Sequence, residues 1–203
     1  MFVLALDTAT PSLTVGIVDL DTRSVLARRD QTNSRGHAEV LTPFVLECLD
    51  EAGLARSDIG AIVVGCGPGP FTGLRVGMAT AAAFGDALGI PVHGVCSLDA
   101  IAVGSRGDTL VVTDARRREV YWARYSDGVR TGGPDVCKPA DLGIDGPAVE
   151  EGAIVDGARV IAGAAPTPAT LVAAAAPLIG TEPEPLVPLY LRRPDAVETA
   201  ARG

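Results

Sequence analysis

The sequence predicts an α/β protein in which a mixed sheet is covered by helices. Three observations predict it. Ile59 to Cys66 is a continuous apolar run, as in a strand buried on both faces. Leu41, Phe44, Val45, Cys48, Leu49 and Ala52 recur at the spacing of one helix face. From residue 41 to residue 95 such segments alternate, which calls for a parallel component in the sheet.

The elements follow in order. Phe2 to Leu6 is a short apolar strand that ends in the turn cluster Asp7-Thr8-Ala9-Thr10-Pro11-Ser12. Leu13 to Leu20 and Ser24 to Gln31 read as second and third strands, an antiparallel start. Thr32 to Gly36 is polar loop. The first helix follows, opened by His37 and stopped by Gly53. Pro43 inside it either kinks the helix or marks its first position, with Thr42 as N-cap. After the strand to Cys66, the loop Gly67-Pro68-Gly69-Pro70-Phe71-Thr72 leads into a helix from about Gly73 to Leu88, ended by Gly89. Pro91 to Val95 is a short strand. Thr109 to Asp114 and Glu119 to Tyr125 form a hairpin around Ala115-Arg116-Arg117-Arg118, and a third strand follows the turn at Ser126-Asp127-Gly128. Residues 131 to 157 carry no clear period. Arg159 to Ala162 reads as a strand and Pro168 to Ala176 as a short helix. Glu182-Pro183-Glu184-Pro185 is a stiff extended linker before Leu186 to Arg193. A boundary falls near Ser105-Arg106-Gly107, giving domains 1–104 and 105–203.

Composition narrows the function. The 203 residues are 47% hydrophobic and 21% charged, which excludes disorder as the main state. A net charge of −8 and 4% aromatics argue against a free-standing nucleic-acid binder. Four cysteines without a CxxC pair read as reduced, buried thiols. The first seven residues lack a basic leader region, and no apolar run approaches the ~20 residues of a membrane span, so a cytoplasmic protein without membrane contact is expected.

Four features bear on chemistry. Gly67, Gly69 and Gly73 surround Thr72 before a helix; Thr72 can cap it, and such an end can hold a phosphate. The run lacks the Lys-Ser/Thr of a phosphate-binding P-loop, with Leu74 and Arg75 instead, so a tight strand-to-helix turn is the stronger local reading. Asp7 and Thr8 can approach a metal-bound phosphate or form an Asx-type turn, the commoner use. Gly73, Gly77, Ala81, Gly85 and Gly89 recur every fourth residue. The spacing suits close packing either on the helix's own sheet or on a helix of a partner, and the pattern decides for neither. Arg116-Arg117-Arg118 reads as a solvated hairpin tip before a phosphate contact. The two histidines, His37 and His93, form no i, i+4 ligand pair and no Ser-His-Asp set, so neither a metal site nor a catalytic residue is expected.

Leu4-Ala5-Leu6-Asp7-Thr8, Gly67 to Gly77, Asp114-Ala115-Arg116 with Glu119-Val120-Tyr121-Trp122, and Pro188 with Tyr190-Leu191-Arg192 together resemble the TsaB (YeaZ) family along the whole chain. The resemblance implies an actin/Hsp70-like (ASKHA) fold: two related lobes with mixed β-sheets flanked by helices, the second lobe reduced. It implies no enzyme but a scaffold subunit for TsaD, which transfers threonylcarbamoyl to adenosine 37 of tRNA, with the ATPase TsaE as a further partner. Where TsaD has a metal-binding HxxxH, this chain has His37 followed by Leu41. No cofactor is expected to bind tightly here; ATP and metal belong to the partner subunits, and tRNA is met only through the complex. The implied partner face, able also to form a homodimer, comprises Leu41, Val45 and Cys48 of the first helix and Gly73, Leu74, Gly77, Met78, Ala81 and Gly85 of the second. The alternative is an ASKHA-type ATPase or phosphotransferase, with Asp7, Thr8, Gly69 and Thr72 at the phosphate.

Overall fold

A computed structural model describes residues 1–32, 36–144 and 149–192. The side chain of His37, and Arg193 with the residues after it, lie outside the described residues. Two five-stranded mixed sheets share one plan. The first contains β1 (Phe2–Asp7), β2 (Leu13–Asp19), β3 (Ser24–Gln31), β4 (Ile59–Gly65) and β5 (Val92–Val95), in the order β3-β2-β1-β4-β5. The first three strands are antiparallel neighbours, and β4 and β5 run parallel to β1. The second contains β6 (Asp108–Asp114), β7 (Val120–Ser126), β8 (Val129–Cys137), β9 (Ile154–Val155) and β10 (Ala158–Ala162), in the order β8-β7-β6-β10-β9. There too an antiparallel trio is followed by a parallel strand, β10, beside the first of the three. This is an actin/Hsp70-like fold of two related lobes. The second is reduced: where the first lobe has a long helix between its third and fourth strands, the second has a short 3-10 turn at Pro139–Leu142 among its described residues.

The first sheet is covered on both faces. Helices α1 (His37–Ala52) and α2 (Phe71–Leu88) pack on the face that carries Leu4, Leu6, Val15, Ile17, Ile62 and Val64. The short helix α3 (Ser97–Ala102) adds Ala100 to the face of Val3, Ala5, Val18, Ala61 and Val63, which α4 (Pro168–Ala175) covers; Leu98 and Ala102 of α3 pack instead with the second sheet. The two sets alternate along β1, as the two-residue period of a strand requires. Each fully buried Leu, Val or Ile side chain contributes about 1.5–3 kcal/mol relative to exposure. Gly16 lets α4 sit this close, since a Cβ there would lie 2.6 Å from Pro168 Cγ. So α4, a piece of the 105–203 segment by sequence, belongs to the first sheet by packing.

Several sequence expectations need correction. Helix α1 runs unbroken from His37 with Gly36 as N-cap, so Thr42 caps nothing; Pro43 lies exposed inside it. Helix α2 starts at Phe71, two residues early, after Pro70 at the N-cap; Thr72 is exposed in its first turn and makes no capping bond. Helix α3 follows β5 directly and is absent from the sequence reading, because six residues are too few to display a helical period. Gly53 and Gly89 do end their helices in the left-handed conformation, at φ 66° each.

Candidate functional site

A cleft of about 660 Å³ opens where the two lobes meet. The segments that carry the family resemblance converge on it: Thr8 from the end of β1, Gly69 to Gly73 from the loop into α2, Asp114 to Arg116 and Tyr121 from the second lobe, and Tyr190 to Arg192 from the tail. None of these is near another in sequence. β1 and β6 end at the cleft, and the loop that follows β4 reaches it.

The end of β1 is closed in on itself. Asp7 is fully buried. One carboxylate oxygen accepts the Ala9 amide at 2.8 Å, the Asx-type turn; the other accepts the Ser97 hydroxyl at 2.5 Å. Gly65 leaves the space for it, since a Cβ there would lie 1.7 Å from Asp7 Oδ2. Burial pushes the Asp7 carboxyl up to about 6, against the opposing pull of these hydrogen bonds. Thr8 is equally occupied. Its hydroxyl donates to the Gly73 carbonyl at 2.7 Å and accepts the Gly77 amide at 3.1 Å. Of the candidate phosphate residues, then, Thr8, Gly69 and Thr72 line the cleft, Asp7 does not, and Thr8 has already given its one hydroxyl proton to Gly73.

Gly69, Gly73 and Gly77 answer to the same turn, and Gly85 to β5. A Cβ at Gly69 would meet Ala9 O at 2.2 Å, at Gly73 Thr8 O at 2.5 Å, at Gly77 Thr8 Oγ1 at 2.3 Å, and at Gly85 Val92 Cγ2 at 2.3 Å. The stripe therefore packs on its own sheet. The remaining members of the expected partner face share this position: Leu41, Val45, Cys48, Leu74, Met78 and Ala81 are all buried within the first lobe. This corrects their expected place on a partner face, since their side chains are turned into their own lobe. The outward side of the two helices is carried by Leu46, Ala79 and Ala83, which are exposed.

The tail straps the two lobes together. Leu186 packs into the first-lobe core, and the Leu189 amide donates to the Cys66 carbonyl at 2.9 Å. Tyr190 stacks on Phe71 with ring centroids 5.0 Å apart. The Arg75 guanidinium lies 4.0 Å above Phe71, and its Nε donates to the Tyr190 hydroxyl at 2.8 Å. Leu191 then packs against the second-lobe core, and Arg192 forms an ion pair with Glu119 and donates to the Arg116 carbonyl at 3.3 Å. Sequence reading assigns no role to Arg75 or to the tail. The exposed aromatics Phe71 and Tyr190 hint at one, but Arg75 and Tyr190 stand 115 residues apart.

Arg116, Arg117 and Arg118 form the tip of the β6–β7 hairpin, all with positive φ (61°, 55° and 62°). Left-handed backbone costs a non-glycine residue roughly 1–2 kcal/mol. Asp114 Oδ1 accepts the Arg116 amide at 2.8 Å, the Ala115 amide donates to the Glu119 carbonyl and the Glu119 amide to the Arg116 carbonyl, each at 3.0 Å, which holds the turn. Arg116 faces the cleft. Among the described residues the walls thus offer the cations Arg116 and Arg192, the carboxylates Glu39 and Asp114, aromatic rings and the start of an 18-residue helix. Among the described residues no three His, Cys, Asp or Glu side chains are arranged to hold a metal ion, and no helix is long and apolar enough to cross a membrane.

Comparison with known proteins yields consistent matches. The model of the family "TsaD: tRNA N6-adenosine threonylcarbamoyltransferase" matches residues 29–181. An uncharacterized protein of Mycobacterium tuberculosis is 58% identical over 200 residues, covering 96% of this chain and 93% of that protein. The tRNA threonylcarbamoyladenosine biosynthesis protein TsaB of Escherichia coli is 35% identical over 130 residues, 62% of this chain and 55% of that protein. A Pseudomonas aeruginosa crystal structure, described as similar to peptidase YEAZ, superposes with a TM-score of 0.75 at 29% identity, covering 94% of this chain and 99% of that one.

Proposed function

Since the chain belongs to the TsaD family by its matching model, and within it to the TsaB (YeaZ) group, we propose that it serves tRNA threonylcarbamoyladenosine biosynthesis as a non-catalytic scaffold subunit. In this reading it binds and activates a TsaD-like catalytic subunit and helps to recruit a TsaE-like ATPase. It meets tRNA only within that complex, in the cytoplasm, and leaves ATP and metal to its partners.

One observation supports this reading above the others: the acid and the hydroxyl best placed to serve a metal-bound phosphate are committed to the fold. Asp7 is buried against Ser97, and Thr8 ties β1 to α2. His37 followed by Leu41 likewise lacks the second ligand of HxxxH. The partner face is assigned to the outward side of α1 and α2, a surface also suited to a homodimer. Co-purification with the TsaD of the same organism tests it. Wild type is expected to form a stable complex, and Leu46→Glu and Ala79→Arg, both at exposed positions, to lose it while keeping the wild-type melting curve. Failure of the wild type to associate would remove the scaffold reading.

The runner-up is an ASKHA-type ATPase or phosphotransferase. It is favoured by the cations Arg116 and Arg192 facing the first turn of α2 across the cleft. Titration of the isolated chain with Mg-ATP separates the two readings: the scaffold reading expects no saturable binding below millimolar concentration.

A further inference from the structure

The hairpin tip at Arg116, Arg117 and Arg118 has a costly backbone. All three residues take the left-handed conformation, which glycine adopts freely and an L side chain does not. The fold nevertheless holds them there. Asp114 binds the Arg116 amide, and from the tail Arg192 donates to the Arg116 carbonyl at 3.3 Å and pairs with Glu119. Local strain of this kind collects at functional sites.

What the tip presents is positive charge. All three arginines are exposed. The guanidiniums of Arg116 and Arg118 form no ion pair among the described residues. The flanking carboxylates are engaged, Asp114 with the tip's backbone and Glu119 with Arg192. Successive side chains of a left-handed turn point about 100° apart, so the three cations fan out instead of closing on one small anion. Arg116 lines the cleft, while Arg117 and Arg118 stand outside it. The tip has no apolar anchor of the kind that centres a protein interface, since Ala115 is buried.

We propose that this tip touches the phosphodiester backbone of RNA and, resting on the reading above, of the tRNA held by the complex. A fan of cations can meet neighbouring phosphates along one strand, and the planar fork of arginine suits each of them. Such a contact is local. It fits a chain of net charge −8 that meets tRNA only together with its partners. Backbone contacts carry no sequence information, so the tip positions tRNA and does not select among sequences.

The test titrates the complex of this chain with the TsaD of the same organism against a tRNA transcript at several salt concentrations. Arg116→Gln and Arg118→Gly should each flatten the slope of log affinity against log salt by about 0.7–0.9. Each should also weaken binding about threefold or more at low salt, equally for tRNAs of different sequence. Arg118→Gly relieves a left-handed residue, so it should keep or raise the urea midpoint, which separates a lost contact from a lost fold. Arg118→Lys should keep the wild-type slope, since one cation still meets one phosphate. Unchanged slopes in both charge-removing variants, with the complex intact, overturn the proposal and leave the scaffold reading standing. Variants that lose the TsaD-like subunit instead make the tip a protein contact, which overturns it too. Failure of the wild type to assemble removes the scaffold reading and this proposal together.

Discussion

Asp7 shows how one residue can be legible in kind and hidden in consequence. Its place at the strand end and its Asx turn follow from sequence, because Ala9 lies two residues on. Ser97, 90 residues away, does not. Nor does burial, which turns a potential phosphate neighbour into a structural acid. Two predictions belong at this scale. The Asp7 carboxyl is raised in the fold from 3.8 to about 6, so its contribution to stability is full below the lower value and is lost as pH rises through the upper. The loss on ionisation is on the order of 3 kcal/mol. Urea midpoints of wild type should fall across that window, and Asp7→Asn should flatten the fall. Gly65→Ala, whose Cβ would displace the Asp7 carboxylate, should lower stability by about 1–3 kcal/mol or more, as over-packing does; the same urea titration measures it.

At the scale of elements, periodicity served well where an element is long and half buried. The strands β1 to β7 and β10 and helices α1, α2 and α4 lie within a few residues of their expected positions, while β8 was expected only as a strand after the turn, without bounds. Helix α3 escaped because it is short, and the start of α2 because Pro70, without a capping side chain, opens it in place of Thr72. The glycine stripe was visible as a pattern, but its direction was not, since a small residue suits any close neighbour. What decided it is Thr8, which reaches the helix backbone twice. Helix α4 is the conventional case: Thr167 caps it by accepting the Thr170 amide at 3.2 Å. Thr167→Ala should therefore cost about 1 kcal/mol. Truncating Leu171, fully buried against the first sheet, to Ala should cost about 2–5 kcal/mol; thermal or urea unfolding would distinguish the two by size.

For the whole molecule, the α/β class follows from the alternation of strands and helices and a boundary near residue 105 from the chain, but the kinship of the two lobes from resemblance alone. No local pattern announces that the second sheet repeats the first. The inter-lobe strap was likewise out of reach, being a set of contacts between positions far apart in the chain. Its ion pair to the second lobe is partly exposed, with side chains 23% and 33% accessible, so Arg192→Ala should change global stability by less than about 1 kcal/mol. Hydrogen exchange at Leu189 and Leu191 should nonetheless rise, since a local opening needs far less free energy than unfolding. The docking of α4 on the first sheet has a consequence for biosynthesis. All five strands of that sheet exist once residue 95 has been made, yet the face bearing Val3, Ala5, Ala61 and Val63 waits for Leu171 and Val172. At ordinary elongation rates the nascent sheet stands half bare for about 4–16 s. During that interval a chaperone, rather than the chain itself, is its natural cover.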